Sequence, residues 1–324
     1  MKRREFITLV GSATVWPLAA KAQPKLPVIG VLGLGPSPYF GELRSGLAEG
    51  GFVEGRDYTF EYRSAESAQY QQDQIAAQVA DLLQRGVALI TTSSLPQALA
   101  AKASTNTVPI VFSTGADPVA AGLVASFHRP GRNLTGVASL NTAVIGKRLE
   151  VLHELASMAS SFAHFVNPNN KAYAEAETSE LQVAAHALGV RLSVLNITRA
   201  SEIEDAFSAL VRDRVDGLVV GADAVFVDSR SELVSLAARH KMPSIYQSRE
   251  FVAIGGLASY GTRYGDGSRI CGLYAARILK GEKPADLPVQ QITKTELAIN
   301  LKTARTLGLA VPATLLATAD EVVE

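Results

Sequence analysis

A single cysteine, Cys271, stands among 324 residues. It excludes an internal disulfide framework, a cysteine-rich zinc site and any mechanism that needs two thiols, such as a paired-thiol racemase. Excess charge of either sign is also missing. Lys plus Arg and Asp plus Glu number 31 each, and no extended basic run follows the first four residues. The electrostatic footprint of a nucleic-acid binder is therefore absent. The five histidines (His128, His153, His164, His186 and His240) are scattered, with no H-E-x-x-H and no metal-ligand spacing. No G-x-S-x-G elbow is present and no G-x-G-x-x-G follows a strand; "GLGPSP" at 33–38 breaks that pattern with two prolines. The sequence thus leads to no catalytic residue, no metal and no cofactor, and to no nucleic-acid partner.

Long apolar runs are confined to the N-terminus. "MKRREFITLVGSATVWPLAAKAQ" has a basic start, an apolar run from Phe6 to Ala19, and Ala20-Lys21-Ala22 as an A-x-A site before Gln23. This is the pattern of a cleaved export leader over 1–22, cut near Ala22-Gln23, and the expected location is periplasmic. Arg3 and Arg4 followed by Phe6 and Ile7 resemble a twin-arginine signal, with Lys2 where Ser or Thr is usual. The twin-arginine and general secretory routes both stay open. No cysteine follows the cut to carry a lipid, and no later segment is apolar for long enough to span a bilayer.

What is present is a rhythm. Short β-branched runs alternate with longer amphipathic stretches: "PVIGVLGL" at 27–34 reads as a buried strand and 39–50 as a helix. "DYTFEYR" alternates as a strand, and 69–86 places Ile75, Val79, Leu82 and Leu83 on one helical face. "VALITT", a helix from Pro96, "PIVFST", a short helix near 119–126 and "NLTGVAS" follow. The alternation restarts with "VIGKRLEVLHELA" and runs through "FAHFVNP", "VRLSVLNI", "DGLVVGAD", a helix at 226–240 and "PSIYQ". Strands alternating with helices of this length predict an α/β fold with parallel central sheets, here in two successive halves with a ligand between them.

Ligands of open parallel sheets sit at the carboxyl ends of the strands. The loops there are "GLGPSPYF", "TTSSLPQ", "STGADPV", "VNPNNKAY", "VGADAVFVD" and "YQSREFVAIGG". They are rich in small polar groups with a few aromatics, a composition that suits a small polar ligand. Ser93 or Ser94 can cap the helix beginning near Pro96, or can join its free N–H groups in holding a carboxylate. Thr91 and Thr92 read as the polar end of a strand. Ser113 and Thr114 close the next strand. Asp117 fits a helix cap or an ammonium partner, and Asp223, after the uncharged run "GLVVGA", offers the same two roles. Tyr246, Arg249 and Glu250 form a polar cluster in which Arg249 can pair with Glu250, Asp223 or a ligand acid.

Four segments carry a resemblance: "VIGVLGLGPSPYFGELRSGLAEGGFVEGRDYTFEYRSAE", "VPIVFSTGADPVAAGLVASFHRPGRNLTGV", "YQSREFVAIGGLASYG" and "TELAINLKTARTLGLAVPATLLATADEVVE". Over essentially all of 27–324 the chain resembles the substrate-binding proteins of ABC importers, in the group that includes tryptophan- and tyrosine-type binders. The resemblance implies a type I periplasmic-binding fold, two Rossmann-like lobes joined by a three-strand hinge near 139–142, 254–257 and 287–291. Lobe 1 would comprise 23–140 plus 256–288, and lobe 2 would comprise 141–255 plus 289–324. It also implies ligand contacts from Ser93, Ser94, Ser113 and Thr114 on lobe 1, and from Asp223, Tyr246 and Glu250 on lobe 2. Tyr39 and Phe40 would stack on the ligand, and Asp117 and Asn167 are further candidate ligand-binding residues. The implied function is capture of a small organic ligand, best an amino acid and an aromatic one first. Delivery would be to an ABC permease and its ATPase, by a monomer that is not an enzyme. A sensing domain without a transport role has the same signature.

Overall fold

The computed structural model describes residues 26–33, 39–63, 72–139 and 141–324. The expected export leader and most of the first loop lie outside these residues. The chain begins with β1 (Val28–Leu32), α1 (Tyr39–Glu49), β2 (Thr59–Arg63), α2 (Gln72–Gln84), β3 (Leu89–Thr92), α3 (Leu95–Ser104), β4 (Ile110–Thr114) and β5 (Leu134–Ala138). It continues with α4 (Ile145–Leu155), β6 (Ser161–Val166), α5 (Lys171–Leu188), β7 (Arg191–Asn196), α6 (Ile203–Arg212) and β8 (Gly217–Val220). Then come α7 (Ala224–Asp228), α8 (Arg230–Arg239), β9 (Ser244–Tyr246), α9 (Arg249–Ala253), β10 (Ala258–Thr262) and α10 (Tyr264–Leu279). The last elements are β11 (Gln290–Gln291), β12 (Thr295–Asn300), α11 (Leu301–Thr306), α12 (Ala313–Thr318) and β13 (Glu321–Val323).

These strands form two sheets. The first runs β11-β5-β4-β3-β1-β2, all parallel; the second runs β13-β12-β10-β9-β8-β6-β7, parallel except for the antiparallel β10–β12 pair. The central strands are buried on both faces, as "LITT" of β3 and "LTGVA" of β5 are throughout, which is what helices on both sides of a parallel sheet require. In the first lobe Val79, Leu82 and Phe112 belong to one apolar cluster, and Ile29, Leu47 and Val111 to another. The second lobe repeats the plan with Phe165, Phe207 and Phe226 in one cluster and Leu149, Leu152 and Ile299 in another.

Helix α10 belongs to the first lobe. Gly46 of α1 and Gly50 just after it face it so closely that a Cβ at Gly46 would lie 1.9 Å from the Arg269 carbonyl oxygen. Gly272 is as tight from the other side, 2.2 Å from the Leu43 oxygen. Three side chains reduced to hydrogen let two helix backbones touch.

Two boundaries differ from the sequence expectation. Strand β10 pairs with β9 and β12, so 258–262 lies in the second sheet and not with lobe 1, where 256–288 was placed. The chain therefore crosses at Arg263, not at 254–257. Strand β11 pairs with β5, so Gln290 and Gln291 remain in the first sheet and the last crossing falls at 292–294. Periodicity marks a strand but says nothing of its partner, which decides the lobe. Two helices differ as well. The stretch 119–126 is a set of turns, with Gly122 at φ +67°, and the helix expected over 226–240 breaks at Ser229 into α7 and α8.

Candidate functional site

The carboxyl ends of β1, β3, β4 and β8 and the loop after β9 face one another across a cleft of about 510 Å³. Lobe 1 supplies Thr91, Thr92, Ser93 and Ser94 from the β3–α3 turn, Ser113, Thr114 and Gly115 from the end of β4, and Phe40 from α1. Lobe 2 supplies Asp223, Asp228 and Arg230 around α7, Asn170 and Tyr173 from α5, and Ser248, Glu250 and Phe251 at α9.

On the lobe 1 wall three hydroxyls are uncommitted. Ser94 holds the N-cap position of α3 in extended backbone geometry, yet its side chain makes no capping bond. Gln97 turns back instead, its Oε1 accepting from the Ser93 N–H at 3.0 Å and lying 3.3 Å from Ser93 Oγ. Thr91 Oγ1, Thr92 Oγ1 and Ser94 Oγ are buried without a partner. Buried hydroxyls are normally hydrogen-bonded, so three such oxygens beside a helix N-terminus form a surface prepared for a polar or anionic group. Thr91 and Thr92, read from the sequence as a strand end, thus line the cleft.

On the lobe 2 wall Asp223 is buried, and burial raises its carboxyl above the ordinary value against the pull of three donors. Asn167 Nδ2 (2.9 Å) and the Val225 N–H (3.0 Å) donate to Oδ1, and Asn170 Nδ2 (3.1 Å) donates to Oδ2. Asp223 thereby caps α7 and clips the β6–α5 turn beneath it. Asp228 lies exposed on the cleft wall, its carboxyl pushed up to about 6 by burial among its surroundings, with Arg230 opposing the shift. Arg230 is steadied by donating to the Val227 carbonyl at 3.1 Å. Glu250 is half-buried, with Oε2 shielded and unpartnered, and also faces a second cavity of about 250 Å³ that contains Arg263 and Glu296.

Tyr173 joins the walls. The Gly115 N–H donates to its hydroxyl, and Thr114 Oγ1 is 3.3 Å from the same oxygen. Behind Asp223 lies a buried ionic group. Glu177 accepts from the Ala222 N–H at 3.0 Å, with Arg148 Nη1 and His164 Nε2 each 3.9 Å away. Burial pushes Glu177 up to about 7 and His164 down to about 4. Arg148 donates to the Tyr260 carbonyl at 2.7 Å and the Asn141 carbonyl at 3.4 Å, so this group ties the floor of the site to β10 and to the segment that leads into α4.

Of the residues singled out from the sequence, Phe40, Ser93, Ser94, Ser113, Thr114, Asp223 and Glu250 share the cleft. Three others do not line it, and of Tyr39 only the backbone is described. Asp117 is exposed and its Oδ1 accepts from Val119 and Ala120 N–H groups, the capping alternative. Asn167 lies behind Asp223. Tyr246 is buried and stacked on Phe251 (centroids 4.5 Å apart, 11° between planes), so Phe251 presents the aromatic face. Tyr39 opens α1, and its side chain lies outside the described residues. Arg249 pairs with Glu321 at 2.6 Å, none of the three partners considered for it. Sequence reasoning missed Asn170, Tyr173, Asp228 and Arg230. The first three stand in loops already marked, "VNPNNKAY" and "VGADAVFVD", at positions that only the backbone path could select. Among the described residues no helix is long and apolar enough to cross a membrane, and no group of His, Cys, Asp or Glu could hold a metal ion.

Comparison with known proteins gives consistent results. The family described as ABC transporter substrate binding protein matches residues 39–323. A tyrosine-binding protein of Clostridioides difficile (strain R20291) is 28% identical over 264 residues, 81% of this chain and 74% of that one. Among solved structures, a conserved domain protein from Vibrio cholerae superposes with a TM-score of 0.81 at 25% identity, over 92% of this chain and all of the other. A Streptococcus pneumoniae ABC domain in complex with L-Trp gives 0.80 at 24% identity, over the same shares. A ligand-free, open substrate binding protein from Clostridium difficile gives only 0.62 at 26% identity, over 92% and 99%.

Proposed function

The chain belongs to the ABC transporter substrate-binding protein family, and from that premise we propose that it is the exported capture component of an importer. It works as a monomer, closes two lobes on an amino acid, an aromatic one first, and hands it to a permease and its ATPase. The lobes are 26–139 with 264–291, and 141–262 with 295–324, turning about the three crossings between them. The task is capture and not chemistry, in keeping with relatives that are binding proteins. Export through the leader at 1–22 places the cleft on the side of the membrane where importers collect their cargo.

The observation that carries this reading is the chemical polarity of the cleft. One wall offers unpartnered hydroxyls at a helix start, the other carboxylates, and Phe40, Tyr173 and Phe251 stand between as apolar surface. A zwitterion with an aromatic side chain matches all three surfaces. About 510 Å³ is within the usual range for a site that encloses a small molecule. The names of the tyrosine-binding relative and of the L-Trp complex support the same class of ligand.

Thermal unfolding in the presence of each protein amino acid tests it. At a concentration near one hundred times Kd, the right ligand should raise Tm by about 5 °C or more. Mass spectrometry of the protein purified under native conditions should find that same compound carried through. No shift with any amino acid rejects this class of ligand.

A further inference from the structure

The lobe 2 wall of the cleft holds three carboxylates and one cation, and the carboxylates are not equivalent. Asp223 already accepts three hydrogen bonds, from Asn167, Asn170 and the Val225 N–H. An ionised carboxylate has about four acceptor positions, so little remains for a ligand. Moving any of those donors would release the start of α7 or the β6–α5 turn. Asp228 is the opposite case. Among the described residues no hydrogen bond or close ion pair engages it, and Arg230 acts on it only through space. It faces the cleft five residues beyond Asp223, where α7 ends.

A second, independent observation lies on the facing wall. Thr91 and Thr92 are 5% and 4% exposed, both line the cleft, and neither Oγ1 has a partner. With Ser94 Oγ and the first N–H groups of α3, they complete a donor-rich patch for the anionic end of a ligand. A ligand seated there with its acid turned toward lobe 1 turns its cationic group toward lobe 2.

We propose that Asp228, and not Asp223, is the counter-ion for the ligand's ammonium group, and that Asp223 is the positioning residue that holds the surrounding loops. This rests on the reading of the cleft as an amino-acid site. A carboxylate without a partner in a partly desolvated wall gains most from an arriving ammonium, because the new bond is charge-assisted at both ends. Arg230, two residues on, sets the limit of that pocket by repelling a second cation. The favoured ligand therefore carries a single ammonium close to its acid, as a neutral α-amino acid does, and a side chain with its own positive charge is disfavoured.

Isothermal titration with all protein amino acids, and with the deaminated acid corresponding to each one bound, provides the test. Asp228→Asn should weaken the amine-bearing probe about tenfold or more while leaving its deaminated counterpart within about twofold. Its Tm should stay at or slightly above that of the wild type. Asp223→Asn should lower Tm and weaken both probes alike, as loss of a positioning residue does. Unchanged affinity of Asp228→Asn for the amine overturns the assignment alone, as does a matching loss for both probes. A wild-type protein that binds no amine-bearing probe overturns it together with the reading of the site.

Discussion

Asp223 and Asp228 show at single residues what a sequence can and cannot say. A carboxylate soon after the buried strand "GLVV" is conspicuous, and of its two sequence roles, cap and ammonium partner, the structure shows the cap, on a residue that also lines the cleft. Asp228 was hidden because its direction depends on where α7 stops. Asp228 lies in the short helix α7, which starts two residues earlier than the helix expected over 226–240 and ends before Ser229, and it lines the cleft. His164 was equally opaque, for nothing in "FAHFV" reveals that its ring is sealed beside Glu177 and Arg148. Its consequence appears in acid. An imidazole held neutral, with its proton affinity moved from 6.5 to about 4, binds fewer protons folded than unfolded. The stability this gives above pH 6.5 is lost as pH falls toward 4, by about 3 kcal/mol at most. Glu177 works in the opposite direction, gaining stability as pH falls from about 7 to 4.5, so wild-type curves alone mix the two. Denaturation of wild type and His164→Gln at several pH values separates them. The wild type should lose ground to the variant steadily from pH 6.5 to 4, and a constant difference would mean that His164 titrates normally.

At the scale of elements, most of the fold was legible, since buried parallel strands and amphipathic helices write their periods directly into the chain. Parallel sheets, two halves and the cleft at the strand ends all follow from that alternation. What stayed illegible was pairing. "LASYG" has the pattern of a strand, but only its register with Ile245 and Tyr246 on one side and Leu297 and Ala298 on the other assigns it to lobe 2. The touching of α1 and α10 was illegible for a related reason: glycines at 46, 50 and 272 could as well be turns. Gly46→Ala should cost about 1–3 kcal/mol or more, because the added methyl meets backbone and not a side chain that can swing away. Gly41→Ala on the same helix meets nothing within 4 Å and should stabilise by about 0.5–1 kcal/mol. Urea unfolding of the two variants beside wild type measures both signs, and a similar response at the two positions would refute the close contact.

For the whole molecule, the lobes are linked by more than their crossings. Tyr173 reaches from α5 to the end of β4 across the cleft, while within the second lobe Arg148 binds carbonyls of Asn141 and Tyr260 and faces Glu177 under the site. The cross-cleft contact and the buried group under the site share helix α5, through Tyr173 and Glu177. The crossing at Arg263 has a topological consequence. It divides the chain into 26–263 and 264–324, yet the shorter piece leaves α10 and β11 in one lobe and β12 and β13 in the other. A protease cut engineered at 263 therefore yields two polypeptides, each embedded in both halves of the molecule, rather than two detachable halves. Gel filtration should find the nicked protein at its intact size while a denaturing gel resolves two bands, and dissociation on cutting would contradict the strand order. The same interleaving means that neither lobe is a contiguous stretch of gene. The first sheet cannot gain its edge strand until β11 is made, nor the second until β12 and β13 are made, so both sheets wait on segments far along the chain from their first strands.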